Sequence, residues 1–211
     1  MQRFTDSTFL NILTFALFYY LCRLQNRQIM ILPMYLYGQP VLRKVATPIE
    51  KEYPELQTLV ANMFETMYKS EGIGLAAPQI GLPIRAIVID VTVLADDYPE
   101  LVDSKKVLIN PQILEASGKD ISIEEGCLSL PGIHENVTRK ETIHIHYFDE
   151  NWAEHDEIVT GYLARVMQHE YDHLEGHLFT DRVSPLRRQL LKSKLTNIAK
   201  GKVSCNYKTK H

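Results

Sequence analysis

The sequence predicts an α+β domain in which mainly antiparallel sheets pack around a central helix, with a further helix near the C-terminus. Three observations predict it. Segments of strand character crowd the middle of the chain, from about residue 85 to residue 149. Segments of helical period lie between and after them, a pattern that favours hairpin-joined strands. The 211 residues suffice to bury one substantial core, and no internal repeat or second domain is visible.

Residues 1–29 stand outside this plan. FLNILTFALFYYL (9–21) is apolar but interrupted by Asn11 and Thr14. It falls short of the roughly 20 residues that cross a bilayer. Arg3 precedes it, yet the residues after it, CRLQNRQ, offer no small-residue cleavage site. Met30 and Met34 both precede a globular stretch, so residues 1–29 read as an upstream extension from an early start codon. A weakly membrane-associating helix is the competing reading, and membrane association is otherwise not expected.

The domain proper is expected over residues 30–196. PELQTLVANMFETMYKS, from Pro54, sets Leu56, Leu59, Val60, Met63, Phe64, Met67 and Tyr68 at helical spacing. This is an amphipathic helix with a proline in its first turn. Gly72, Gly74, Pro78, Gly81 and Pro83 then break the chain into an irregular loop. RAIVIDV (85–91), KVLINPQIL (106–114) and ISIEE (121–125) read as strands. ETIHIHYFD (141–149) alternates, with Ile143, Ile145 and Tyr147 on one face and His144 and His146 turned to water on the other. A helix opens at Thr160 as N-cap, runs through GYLARVMQHEYDHLE and stops at Gly176. The last helix, PLRRQLLKSKLTNIAK, carries a stripe of Leu186, Leu190, Leu191 and Leu195.

Composition narrows the function classes. The chain is 45% hydrophobic and 23% charged with a net charge of -3, which excludes a wholly basic nucleic-acid binder and gives no reason to expect a DNA partner. From Arg182 to His211, however, there are 9 Lys or Arg and no Asp or Glu. Residues 197–211 are read as a basic C-terminal tail, a solvated end that could dock on an anionic surface. The 3 cysteines, Cys22, Cys127 and Cys205, make a poor disulfide framework and fit a reducing compartment, with a cytoplasmic location expected.

QHEYDHLEGHLF (168–179) carries the chemistry. His169 and His173, four apart on a helix, project to one face and can share a divalent ion. Glu170 beside them can act as general base on the attacking water. The spacing occurs in zinc peptidases, but the metzincin extension fails: Gly176 fits, while the third-histidine position is Phe179. The third ligand comes from EEGCLSLPG (124–132), where Cys127 stands between Gly126 and the Pro131–Gly132 turn. A thiolate beside two imidazoles leaves a fourth position open, as in catalytic sites. EGIGLAAPQIG (71–81) resembles the start of a dinucleotide fingerprint but has Ala77 where a glycine is required. Its small residues admit a close-lying ligand backbone, and Gln79 offers an amide donor for a developing oxyanion.

Taken in order, GIGLAAPQIG, EGCLSLPG and QHEYDHLEG closely resemble the three signature motifs of peptide deformylases, over about Ile31 to Leu195. The resemblance implies a metal-binding HExxH helix at the centre of the fold, with Cys127, His169 and His173 as ligands. It implies one divalent metal ion per chain, Fe2+ first, with Zn2+, Ni2+ or Co2+ as substitutes. The implied reaction removes the N-formyl group from N-formyl-methionyl nascent peptides as part of protein biosynthesis. Glu170 would handle the proton, and Gln79 and the Leu128 N–H would stabilise the oxyanion. Gly72, Ile73 and Gly74 would line the peptide backbone. Tyr162, Arg165, Val166 and His169, with Gly126 and Leu128, would form the methionine pocket. Arg165 departs from the apolar residue of many relatives, so its guanidinium must reach solvent or a carboxylate. Glu125 and Arg139 would pair behind the Cys127 loop, and Asp172 could orient a ligand histidine. Related C-terminal extensions imply that the basic tail meets the ribosome surface.

Overall fold

The computed structural model describes residues 29–211, so the reading of residues 1–29 falls almost wholly outside the described residues. In chain order the elements are β1 (Met34–Tyr35), α1 (Leu56–Lys69), β2 (Gly74–Ala76), β3 (Ala86–Ile89), β4 (Lys106–Gly126), β5 (His134–Phe148) and β6 (Glu154–Thr160). Then come α2 (Gly161–Leu174), α3 (Pro185–Ala199) and β7 (Thr209–Lys210), with short 3-10 turns between. The body is one antiparallel sheet in the order β2-β3-β4-β5-β6. β1 and β7 form a separate parallel pair.

The sheet is covered on both faces. Along β3, Ala86 and Val88 join one apolar cluster with α1, α3 and Phe179, whereas Ile87 and Ile89 join a second with Ile143, Ile145 and α2. Successive strand residues point to opposite faces, which makes β3 a central strand buried twice over. α1 contributes Leu56, Val60, Met63 and Met67 to the first cluster. In α2 every residue from Ala164 to Glu170 is buried, so this helix runs through the middle of the domain.

Several elements differ from the sequence expectation, each for a physical reason. KVLINPQIL and ISIEE are two ends of one strand, β4, whose pairing with β5 is interrupted by register shifts at 109/112, 113/115 and 117/120. Pro111 has no N–H for the ladder, and Asn110 before it turns to φ 51 and bonds both Ile49 N (2.9 Å) and Ile49 O (2.8 Å). Such bulges bend a strand. The expected loop at 72–81 contains the edge strand β2, paired Gly74↔Ile89 and Ala76↔Ile87. β6 went unseen because only Val159 of its seven residues is buried.

The helix ends are local chemistry. α2 follows Thr160, whose side chain makes no capping bond. It ends before Gly176, at φ +73, where a Cβ would lie 2.8 Å from the Arg43 carbonyl oxygen. α3 starts with Ser184 accepting from the Arg187 N–H. Its inward stripe is Leu191, Leu195 and Ile198, while the expected Leu186 and Leu190 are 67% and 62% exposed. Residues 197–199 belong to α3, and the chain beyond it returns to pair with β1.

Candidate metal centre

Two elements deliver the three donors. β4 ends its ladder at Gly126↔His134, and Cys127 follows in a turn closed by the Leu130 N–H on the Cys127 carbonyl (2.9 Å). α2 presents His169 and His173 one turn apart. The Cys127 Sγ lies 3.3 Å from His173 Nε2, and all three donor atoms fall within 4.8 Å of one another. Donors sharing a tetrahedral ion at about 2.0–2.3 Å stand roughly 3.3–3.8 Å apart, so a thiolate and two imidazoles here fit a divalent metal.

The surroundings orient these donors. Glu125 Oε2 holds His169 Nδ1 at 2.9 Å, which turns Nε2 toward the other donors. Glu125 also receives Arg139 Nε (2.7 Å) and Nη2 (2.9 Å), the pairing expected from sequence, and Arg165 Nη1 at 2.9 Å. Burial pushes the Glu125 carboxyl up, but Arg139 and His169 outweigh it and hold the group well below the usual carboxylate range. Arg139 Nη1 continues to Asp172 at 2.7 Å, and Asp172 pairs onward with Arg182. Asp172 therefore orients arginines, not a ligand histidine. His173 Nδ1 is buried without a partner among the described residues. Burial, and then the neighbouring His169, keep the His173 pKa well below its ordinary value, leaving a neutral imidazole of the kind a metal takes.

Glu170 sits between the ligands in sequence and is buried. Burial raises its pKa to about 7, and its Oε2 has no hydrogen-bond partner among the described residues. Its other oxygen packs on β2: a Cβ on Gly74 would stand 2.5 Å from Glu170 Oε1. Gln79 is fixed at both ends. Its Oε1 accepts the Ala76 N–H (2.8 Å), which turns Nε2 toward Cys127 Sγ (3.5 Å) and Ser129 Oγ (3.4 Å).

A cavity of about 510 Å³ opens on this group. Gly72, Ile73, Gly74, Gln79, Gly126, Cys127, Leu128, Tyr162, Arg165, Val166, His169 and Glu170 all line it, so of the sequence-derived site residues only His173 stands outside its wall. Arg165 reaches a carboxylate, as its charge requires, and also donates to the Val137 (2.8 Å) and Ile121 carbonyls. Its guanidinium is thus buried, with both terminal nitrogens engaged. Sequence reasoning missed Ser204, Cys205, Asn206 and Tyr207, which line the same cavity from the far end of the chain. The signal was present in the alternation of Val203, Cys205, Tyr207 and Thr209, overshadowed by the surrounding lysines.

Comparison with known proteins gives one answer. The polypeptide deformylase family model matches residues 31–189. A peptide deformylase of Christiangramia forsetii is 52% identical over 186 residues, 85% of this chain and 95% of that relative. The peptide deformylase structure from Thermus thermophilus has a TM-score of 0.72 and 39% identity, covering 81% of this chain and 99% of that one. One from Synechococcus elongatus, solved in complex with actinonin, has a TM-score of 0.68 and 38% identity, covering 81% and 87%. With a family match across three quarters of its length and a relative identical at half its positions, the chain belongs to the polypeptide deformylase family.

Proposed function

We propose that Cys127, His169 and His173 hold the metal ion of this deformylase and that Glu170 carries the proton of its reaction. The chain is a metal-dependent hydrolase that removes the N-formyl group from N-terminal formyl-methionine of newly made polypeptides and releases formate. The observation that carries the residue assignment is the convergence of one sulfur and two imidazoles within 4.8 Å, beside the cavity that Glu170 lines.

When bound, the ion would supply Lewis acidity and a hydrolytic water of lowered pKa. Glu170 accepts a proton from the attacking water and then delivers it to the departing amine, a transfer that a carboxylate of pKa about 7 makes in both directions. Negative charge develops on the formyl oxygen. Gln79 Nε2 and the Leu128 N–H are the donors we assign to it, and losing one such donor typically costs about 10² to 10³ in rate. The products are formate and a free methionyl amine.

β2 is the edge of the five-stranded sheet, which supports the reading that Gly72, Ile73 and Gly74 pair with the peptide backbone as an added strand. Gly126, Leu128, Tyr162, Val166, His169 and the stem of Arg165 would accept the methionine side chain. Fe2+ is the ion we assign, from the resemblance to the family, with Zn2+, Ni2+ or Co2+ as substitutes that the same Cys/His set would accept. Metal analysis of anaerobically purified protein tests this. We assign the residues that carry the chemistry to the domain 30–196, and the chain to a cytoplasmic setting, where new chains emerge. The exposed Lys200, Lys202, Lys208 and Lys210 support a contact with the ribosome surface. Reversing these four charges is expected to abolish co-sedimentation with ribosomes at low salt, and unchanged co-sedimentation would remove the idea. Among the described residues no helix is long and apolar enough to cross a membrane.

The direct test is formate release from formyl-Met-Ala-Ser by the anaerobically purified protein, against the same metal-loaded Glu170→Ala variant. Release by the parent and its loss in the variant, with metal content equal, is expected. Equal activity in both would overturn the role of Glu170. Cleavage of a longer unformylated peptide would point to an endopeptidase instead.

A further inference from the structure

The chain after α3 behaves unlike a charged tail. From 203 to 209 the half-buried residues are Val203, Cys205, Tyr207 and Thr209, and the exposed ones between them are Ser204, Asn206 and Lys208. That is the period of a strand with one face against protein. Its register is set by β1: the Met34 N–H donates to the Lys208 carbonyl (2.8 Å) and the Leu36 N–H to the Lys210 carbonyl (3.1 Å). In that register the Tyr207 hydroxyl donates to the Leu128 carbonyl at 2.8 Å.

Leu128 lies in the turn that carries Cys127. Three consecutive carbonyls of this turn are held from three different places. Cys127 O accepts from Leu130 N–H (2.9 Å) within the turn, Leu128 O accepts from Tyr207, and Ser129 O accepts from the Tyr37 N–H (2.9 Å) just beyond β1. The peptide between Leu128 and Ser129 is the central one of the turn, which the turn's own hydrogen bond leaves free to rotate; type I and type II turns differ in that rotation. Tyr207 fixes it. The peptide before it presents the Leu128 N–H, and the residue before that presents the Cys127 sulfur.

We propose that the C-terminal segment 202–211 is a strap across the active site, and that Tyr207 is a positioning residue which holds the Cys127–Leu130 turn in its reactive geometry. Its ring and Cys205 also complete the wall of the substrate cavity. The inference rests on the roles assigned above to Cys127 and Leu128. It gives the tail a function inside the enzyme that does not depend on any contact with the ribosome.

The test uses full-length, Co2+-loaded protein as parent and as Tyr207→Phe, which keeps the ring and removes the hydroxyl. Formate release from formyl-Met-Ala-Ser gives kcat and KM. The thiolate-to-cobalt absorption gives the rate at which EDTA strips the ion. One hydrogen bond of ordinary net strength corresponds to a change of about three- to tenfold. Tyr207→Phe is expected to lower kcat by about that factor, to leave KM within about twofold, and to speed metal loss by a similar factor. Tyr207→Ala, which also opens the wall, is expected to raise KM as well. A Tyr207→Phe enzyme with parental kcat and parental stripping rate would overturn the strap, and so would a loss carried by KM alone. A parent that neither holds Co2+ nor releases formate would instead overturn the metal-centre assignment beneath it.

Discussion

A buried carboxylate oxygen without a hydrogen bond is costly unless something else engages it, and among the described residues Glu170 Oε2 is in that state beside two candidate ligands. Its placement depends on what is missing opposite: Gly74 has no Cβ, and one would stand 2.5 Å from Oε1 and 2.9 Å from Cδ. Gly74→Ala is therefore expected to push the carboxylate off its line to the water while leaving Cys127, His169 and His173 in place. A displacement on the order of 1 Å costs about 10²-fold in rate, so formate release should fall by about that factor at unchanged metal content. At this scale much was legible. The four-residue spacing of His169 and His173 and the irregular setting of Cys127 are local patterns, and local patterns survive in sequence. The partners of Arg165, Asp172 and His169 were not local. Glu125 sits on β4, Arg139 on β5 and Arg182 beyond α2, so the choice of which acid orients which base depends on how three elements meet.

Elements meet here through one buried charge network. Glu125, Arg139, Arg165 and Asp172 are all buried, and Arg139, from β5, ties Glu125 of β4 to Asp172 of α2. Removing one member of such a network strands the others, at a typical cost of about 3–5 kcal/mol. Arg139→Leu is expected to lose stability in that range in urea denaturation, and to bind metal more weakly because Glu125 no longer holds His169 firmly. A loss below about 1 kcal/mol would mean that the network relaxes around the gap. The strands that sequence reasoning missed carry little apolar signal of their own. β2 is buried but only three residues long, too short to show a period, β6 buries only Val159, and the strap alternates among lysines. Apolar periodicity marks an element only when one face is broadly buried, and each of these gains its place from neighbours. Conversely, α1 and β3 were readable because they bury broad apolar surface, and α2 because Thr160 and Gly176 mark its ends.

Across the whole molecule, the two ends of the described chain are brought to the site and tied there. β1 pairs with β7, and the Arg43 side chain reaches across to Asp181 and to the Gly176 carbonyl (3.3 Å) at the end of the ligand helix. Burial pushes the Asp181 carboxyl up, but Arg43 and the Leu178 N–H outweigh it and hold its pKa below the ordinary value. A carboxyl lowered in the folded state stabilises fully above its unfolded pKa, near about 3.9, and loses that contribution as pH falls through the folded value. Arg43 is partly exposed, so the pair is worth no more than about 1 kcal/mol. The stability gap between the parent and Arg43→Ala should be flat from about pH 7 to pH 5 and close as pH drops below about 4. A gap that widened in acid would show that the pair is not what Arg43 contributes. All of this architecture serves one claim, that a sulfur from the end of β4 and two nitrogens from α2 bind one ion. X-ray absorption at the metal edge of the loaded protein tests it most directly. One sulfur at about 2.3 Å with two imidazole nitrogens at about 2.0–2.1 Å is expected, the sulfur shell vanishing in Cys127→Ser; a spectrum of nitrogen and oxygen alone in the parent would contradict it.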